Sequence, residues 1–418
     1  MRIRRFPVGM SAADIRVLTP SPRDVEDDVR AIIADVREGG DEAVRALTER
    51  FDHAELAAGE LAVPSSEIEA AIGTLEPGAL AGLRLAIENV RAVAEAQLRD
   101  PVSVTLPAGQ TVSVTEVPVR RAAAYVPGGR AAYPSTVVMC AVTARASGVD
   151  ELVVCAPPGP EARAHPAILA ACGLCGVTEV YRMGGAQAIA ALAYGTESVA
   201  PVDVIVGPGN RWVTEAKRQV AGIVGIDGLA GPSELVVVFS AEAGPELVAL
   251  DLLAQAEHGP DSLLVGISSS DDALDRVADA LERLAGERPS VAAETLALVE
   301  ARDSRSAVRL ADALAPEHLQ LVGDEVERLG GEVRCAGALF VGRDAATAFG
   351  DYVAGSNHVL PTGGAARFAS SLSVSTFRRR MARISLPDGA AAKLSGPGAA
   401  LARAEGFPVH VESMDRRS

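Results

Sequence analysis

Glu317 and His318 stand side by side and pair a carboxylate with an imidazole. That pair can take a proton from a hydroxyl with one group and activate a water with the other. Neighbours on a strand point to opposite faces, so one site can use both only if the segment turns, and Pro316 offers the turn. A second concentration of polar groups lies in Gly350-Asp-Tyr-Val-Ala-Gly-Ser-Asn-His-Val-Leu-Pro361, which holds Asp351, Ser356, Asn357 and His358. Such side chains are poor core material without partners. The stretch therefore reads either as a loop offering them to a metal ion or small polar ligand, or as a polar turn with a helix cap. Four of the six histidines have an acid nearby: Glu257 and His258, Glu317 and His318, Asp351 and His358, Glu405 and His410. Gln255 and His258 lie three apart on a predicted helix and face the same way. An amide oxygen and an imidazole there could share a metal with Asp351 and one further histidine. Taken singly, each histidine reads equally as a satisfied structural or surface residue, and Glu317 with His318 as a buried ion pair.

Four glycine-rich turns accompany these groups: Pro127-Gly-Gly-Arg130, Gly184-Gly185-Ala-Gln187, Gly207-Pro-Gly-Asn210 and Gly231-Pro-Ser233. Read as strand-to-helix turns, they sit where open α/β sheets bind ligands, and bare N–H groups before a helix suit a phosphate. None is a dinucleotide fingerprint or a P-loop, so plain structural turns remain the alternative.

The elements that must position these residues follow from pattern. From Pro20 to about Gln97 the chain reads as helical: Asp24–Val36, Asp41–Phe51, Ser65–Leu75 and a last helix from Pro77, with a start at Ser21-Pro-Arg-Asp-Val-Glu26. Residues 102–126 are rich in β formers. Strand and helix then alternate from Pro134 to Asp227, and again from Ser233 to Val341. Such alternation builds parallel sheets. The expected fold is α/β with two Rossmann-like parallel-sheet domains. The expected division is an N-terminal arm over 1–20, a larger domain of 21–127 plus 233–372 carrying the metal and catalytic residues, a domain of 128–232 carrying the nucleotide-side loops, and a tail over 373–418.

Composition narrows the function. The 418 residues allow roughly two to three domains. A formal charge of −16 and 3% aromatic residues argue against nucleic acid and anionic membrane surfaces as partners. The five cysteines are scattered through apolar segments, and Cys172-Gly-Leu-Cys175 lacks the second pair of a zinc ribbon, so they read as packing residues in a reducing compartment. No apolar run reaches roughly 18 residues and the first residues lack a signal-peptide core, which points to the cytoplasm. Schiff-base chemistry would need Lys217 or Lys393, and neither reads as lying beside a candidate site.

Taken together, Gly207-Pro-Gly-Asn210, Ala230-Gly-Pro-Ser-Glu234, Gln255-Ala-Glu-His258, Ala315-Pro-Glu-His318, Gly350-Asp-Tyr with Asn357-His-Val-Leu-Pro361, and Glu405-Gly406 with His410-Val-Glu-Ser413 resemble histidinol dehydrogenase, in that family's order and over almost the whole chain. The resemblance implies oxidation of L-histidinol to L-histidine through the aldehyde with two NAD⁺. It implies Zn²⁺ held by Gln255, His258, Asp351 and His410, with the cation orienting the substrate more than activating it. His318 becomes the base for the hydroxyl proton and Glu317 the activator of water. Ser233, His358 and Glu405, beside Gln255, His258, His318, Asp351 and His410, match substrate-contacting positions. Tyr125, Gln187 and Asn210 match nucleotide-contacting ones. The family implies a homodimer whose C-terminal tail crosses to the partner. Gly228-Leu229 stands where Met-Pro is more usual and Val204 where a lysine is common, which bears on packing or nucleotide affinity.

Rival readings are a same-fold dehydrogenase for another small polar alcohol such as a sulfonated propanediol, a zinc hydrolase using Glu317 as base, and a metal-binding scaffold without catalysis. Ser233, His358 and Glu405 favour histidinol over the first. NADH formation separates dehydrogenase from hydrolase. An adjacent acid and base is unexplained by the scaffold.

Overall fold

The structure is a computed structural model that describes residues 2–18, 24–128, 131–159, 161–291 and 295–417. The expected helix start at Ser21–Arg23 and the Gly129-Arg130 half of the first glycine turn lie outside them. In chain order the strands are β1 (Arg2–Phe6), β2 (Val102–Thr105), β3 (Thr111–Pro118), β4 (Arg121–Tyr125), β5 (Glu151–Ala156), β6 (Glu179–Arg182) and β7 (Val204–Val206). They continue with β8 (Gly225–Ile226), β9 (Glu234–Phe239), β10 (Leu263–Ser268), β11 (Thr295–Glu300), β12 (His318–Val322), β13 (Ala338–Val341) and β14 (Arg378–Ser385). They form a five-stranded sheet β6-β5-β4-β7-β8, a six-stranded sheet β1-β11-β10-β9-β12-β13 and a three-stranded sheet β14-β3-β2. The two larger sheets are parallel throughout; the small one is antiparallel.

Both parallel sheets are covered on two faces, which is why their strands are apolar runs instead of alternating ones. Successive residues still point oppositely. Ala122 and Ala124 of β4 pack with helices Ser65–Ile72, Pro77–Ala96, Pro134–Ala146 and Pro166–Leu174. Ala123 and Tyr125 pack with Glu26–Asp52, Gly185–Tyr194 and Arg211–Val220. In β9, Leu235, Val237 and Phe239 face helices Pro245–Ala256 and Asp271–Gly286. Val236 and Val238 face Ser304–Leu314 and the N-terminal turn holding Ile15.

This packing corrects the expected division. Residues 21–127 do not join 233–372: the helices between Glu26 and Ala96, and β4, build the core of the five-stranded sheet with residues 131–226. Their apolar faces have no room on the six-stranded sheet, which its own helices already cover. Within the N-terminal arm, β1 adds a parallel edge strand beside β11. Part of the tail, β14, pairs with β3 along eight residues. The stretch after Pro361 returns to the five-stranded side, where Leu372 and Phe377 are buried.

No single described helix is long and apolar enough to cross a membrane. The pair Ser65–Ile72 and Pro77–Ala96 is bent by 109°, and its Ile68, Ala71, Ala86, Ile87 and Val90 are buried against the five-stranded sheet.

The two helices expected over 24–51 are continuous in hydrogen bonding but kinked at Gly40, whose φ of 53° and ψ of −135° suit only glycine. At the kink the Asp41 N–H donates to the Glu197 carboxylate at 2.8 Å, in the space a Cβ on Gly40 would occupy. Gly40→Ala is expected to lower stability by about 1–3 kcal/mol. A urea midpoint unchanged by the substitution would show that the helix tolerates the kink without glycine.

Candidate active site

A cleft of about 320 Å³ opens between the two parallel sheets and is lined by Ser233, Gln255, His258, Glu317, His318, Asp351 and His358. It is bounded by the carboxyl end of β4 and by the amino ends of β9 and β12, at Ser233 and His318. Gly231-Pro-Ser233 is therefore not a strand-to-helix turn as expected; it leads into β9. A larger opening of about 920 Å³ adjoins it and shares Asn210, Ser233 and His258. That volume is within the range for a nucleotide-sized ligand, though of Tyr125, Gln187 and Asn210 only Asn210 lines it.

Each side chain is brought in by a local break. Helix Ser304–Leu314 ends with Ala315 at φ 46°, Pro316 follows, and β12 starts at His318. Glu317 stands just before the strand, so it and His318 reach one cleft, 8% and 3% exposed. Gln255 is in the last turn of helix Pro245–Ala256, and His258 is one residue beyond its C-cap, its N–H on the Gln255 carbonyl at 3.2 Å. Asp351 is on the short helix Thr347–Tyr352, not in a loop as expected, and His358 follows on the irregular stretch. Ser356 and Asn357 turn to structural work. The Asn357 amide donates to the Met139 carbonyl and the Thr143 hydroxyl, and the Ser356 hydroxyl to the Gly350 carbonyl.

The two histidines differ in charge because their neighbours differ. His318 Nδ1 faces the Glu234 carbonyl at 3.1 Å and the Glu317 carboxylate at 3.5 Å; its Nε2 lies 3.5 Å from Asp351. Burial disfavours charge on this ring, but the Glu317 and Asp351 carboxylates outweigh it and raise the pKa to about 10. Burial also works against charge on Asp351, yet His318 and the more distant His358 and His258 hold its carboxyl below the usual range. His358 meets neutral partners, the Asp351 carbonyl at 2.8 Å and the Thr136 hydroxyl at 3.2 Å, and burial pushes its pKa down.

On the five-stranded side, Tyr125 ends β4 and its hydroxyl accepts the Gly185 N–H at 3.2 Å. Gln187 is buried and its amide reaches Asp52 at 3.4 Å; burial lifts that carboxyl to about 6, with His53 pulling the other way. Asn210 caps helix Arg211–Val220 by accepting the N–H groups of Trp212 and Val213.

Several functional supports escaped sequence reasoning. Lys217, read as remote from any site, is buried behind the Gly207 turn. It donates to the Gly207 carbonyl and to Asp227, both at 2.6 Å, while Asp227 accepts the Gly207 N–H at 2.7 Å. Glu234 and Arg16 form an ion pair beneath Glu317. Nothing in spacing could reveal a pair 218 positions apart. The Cys172 and Cys175 thiols do behave as packing groups: all five cysteines are free, and burial pushes Cys175 up to about 12.

Gln255, His258 and Asp351 offer one amide and two ligand types suited to a borderline cation such as zinc. Gln255 is 2% exposed and lines the cleft, and its Nε2 has no hydrogen-bond partner; the oxygen Oε1 of the same amide is the atom that would ligate a cation. Among the described residues of one chain, no three His, Cys, Asp or Glu groups converge as a metal site. Glu405 and His410 are exposed on the tail and do not line the cleft; the His410 ring packs 5.3 Å from that of Phe407.

A family model described as histidinol dehydrogenase matches residues 19–418. A histidinol dehydrogenase of Zymomonas mobilis is 45% identical over 407 residues, 95% of this chain and 94% of the relative. One of Gluconobacter oxydans is 43% identical over 401 residues, 94% of this chain and 93% of the relative. A crystal structure of histidinol dehydrogenase from Elizabethkingia anophelis superposes with a TM-score of 0.92 at 28% identity, covering 99% of this chain and 97% of that one. The chain belongs to the histidinol dehydrogenase family and is an NAD-dependent oxidoreductase of histidine biosynthesis.

Proposed function

We propose that this chain oxidises L-histidinol to L-histidine through the aldehyde, consuming two NAD⁺ and one water. The observation that carries the reading is the meeting of Glu317, His318, Asp351, Gln255, His258 and Ser233 in one cleft beside a nucleotide-sized opening. NAD⁺ bound against Tyr125, Gln187 and Asn210 supplies the hydride acceptor for both steps. Zinc held by Gln255, His258, Asp351 and His410 of the partner subunit supplies a fixed anchor for the nitrogens of the substrate.

His318 takes the hydroxyl proton at Nε2, because Nδ1–H is committed to the Glu234 carbonyl. Were Asp351 engaged by the metal, its carboxylate would favour the imidazolium less, and Nε2 would be the nitrogen free to take the proton. As hydride leaves the carbon, the alcohol becomes the aldehyde. Glu317 then takes a proton from water, the oxygen adds to the aldehyde carbon, and a second hydride departs to give the acid. Its Oε2 already accepts a main-chain N–H from Glu234, so Oε1 is the oxygen left for water. Ser233, His358 and Glu405 are the remaining substrate contacts of this reading, with Glu405 arriving beside His410 on the partner's tail. The cytoplasm, where histidinol and NAD⁺ meet, is the expected location.

The dimer is supported by the character of the tail. Met381, Ile384, Leu386, Leu401, Phe407 and Val409 are all exposed, which is unusual for one stretch of a monomer surface. Mixing subunits tests it. Chains with His410→Ala and chains with His258→Ala are each expected to be inactive alone. Random mixed dimers should recover about a quarter of wild-type activity, since half are heterodimers and each restores one whole site. No recovery would place His410 in the site of its own chain.

NADH formed per histidinol consumed is the primary test: two per substrate is expected, and one or none overturns the reading. His258→Asn should lose zinc and activity together, by metal analysis and by NADH absorbance. Glu317→Gln should slow aldehyde oxidation by about 10²–10⁴-fold and alcohol oxidation far less. Equal loss of both half-reactions would remove Glu317 from the water step. Neutral imidazoles are needed to ligate, so bound zinc should fall as pH drops below about 6.

A further inference from the structure

The ends of β9 and β12 carry an arrangement that sheet packing alone does not need. The strands are parallel neighbours with Leu235 opposite His318, so Glu234 and Glu317 precede them side by side. Each donates its main-chain N–H to the other's carboxylate: Glu234 N–H to Glu317 Oε2 at 2.8 Å, Glu317 N–H to Glu234 Oε2 at 3.2 Å. The remaining oxygen of Glu234 accepts the Gly363 N–H at 3.0 Å and the Arg16 guanidinium. Arg16 also donates to the Leu314 carbonyl, at the end of the helix whose left-handed Ala315 turns the chain into Glu317. Two carboxylates this close repel unless a cation faces one of them, and a buried acid used only as filler would cost more than an apolar residue.

We infer that Glu234, braced by Arg16 from the N-terminal segment, is a positioning residue for Glu317: it holds that carboxylate's main chain and one of its oxygens so that the other meets the reacting water. Its own carbonyl sets the tautomer of His318. The Glu234 side chain therefore acts on Glu317 through the Glu317 N–H, its main-chain N–H holds the Glu317 carboxylate oxygen, and it meets His318 only through its carbonyl. The inference rests on the reading of Glu317 as the group that activates water.

The side-chain substitutions Glu234→Gln and Arg16→Lys leave the main-chain carbonyl in place. In both, kcat for histidinaldehyde oxidation is expected to fall about 10–100-fold, with KM and histidinol-to-aldehyde oxidation changed less than about threefold. In a Glu317→Gln background neither should add a further loss. A merely structural role would slow both half-reactions alike and compound with Glu317→Gln, and either result overturns the proposal. Arg16→Lys keeps the charge and loses only the fork, so it carries the test should Glu234→Gln not fold.

Hydrogen exchange separates this inference from the functional reading beneath it. Amides over 315–318 should exchange faster in both variants than in the wild type, whether or not histidinol is the substrate. Unchanged exchange overturns the brace. A wild type that exchanges as expected yet yields no NADH with histidinol overturns the functional reading alone.

Discussion

A main-chain N–H at the end of a strand has no ladder partner, and when buried it must find one elsewhere. This protein meets that constraint with carboxylates, and the cleft is arranged around the result. At the start of β4, the end away from the cleft, Asp203 accepts the N–H groups of Arg120 and Arg121, both at 3.0 Å. After β7, Asp227 takes the Gly207 N–H while Lys217 takes the Gly207 carbonyl. Gly207 has to be glycine there, since its φ of 109° and its contact with the Tyr125 carbonyl leave no place for a Cβ. The nucleotide-side turn is thus gripped from behind, leaving its front open. The same device recurs where β9 and β12 begin. Strand ends from two sheets become fixed surfaces facing one another, which is what a site needs in order to hold substrate against cofactor within bonding tolerance.

Within that frame, two histidines a few ångströms from the same aspartate meet opposite surroundings. His318 looks at carboxyl oxygens on both sides and is driven toward charge. His358 looks at a carbonyl and a hydroxyl, and burial keeps it neutral. Separated environments for like groups are how one pocket assigns a proton acceptor and an orienting group. The charge on His318 also answers to Asp351.

Much of this was legible in the residues themselves. Apolar periodicity located the helices and strands between Glu26 and Gly286, because burial on two faces writes continuous runs and helices keep their own period; it did not reveal β1, β14 or the tail helices Ala390–Ala404 and Pro408–Asp415. Pro316 correctly signalled that Glu317 and His318 could share a site, since a proline after a helix end forces a turn. What periodicity cannot carry is an address. The amphipathic helices between Glu26 and Ala96 announce an apolar face but not which sheet receives it, and so they were expected on the wrong one. The glycines of Gly231-Pro-Ser233 mark a turn without telling whether a helix or a strand follows. Arg16 and Glu234, and Lys217 with Asp227, are silent for a related reason: a buried ion pair is a fact about folded proximity, and charged residues on a helix or arm look solvated until the partner arrives.

The tail shows the limit of what one chain can complete. Its strand β14 is anchored on β3, and its two helices, Ala390–Ala404 and Pro408–Asp415, pack on each other: Gly398 approaches Met414, and Ser395 and Arg403 reach Asp415. That hairpin is held in shape, yet it leaves Leu401, Phe407 and Val409 uncovered and His410 outside its own cleft. An apolar surface of this kind loses free energy to water in proportion to its area until something covers it. If, as proposed, a second copy does so and carries His410 to Gln255, His258 and Asp351, the association that hides the tail would also complete a cation's shell. Dimer formation and metal affinity are then linked, each strengthening the other by the same factor, because linkage between two binding equilibria is reciprocal.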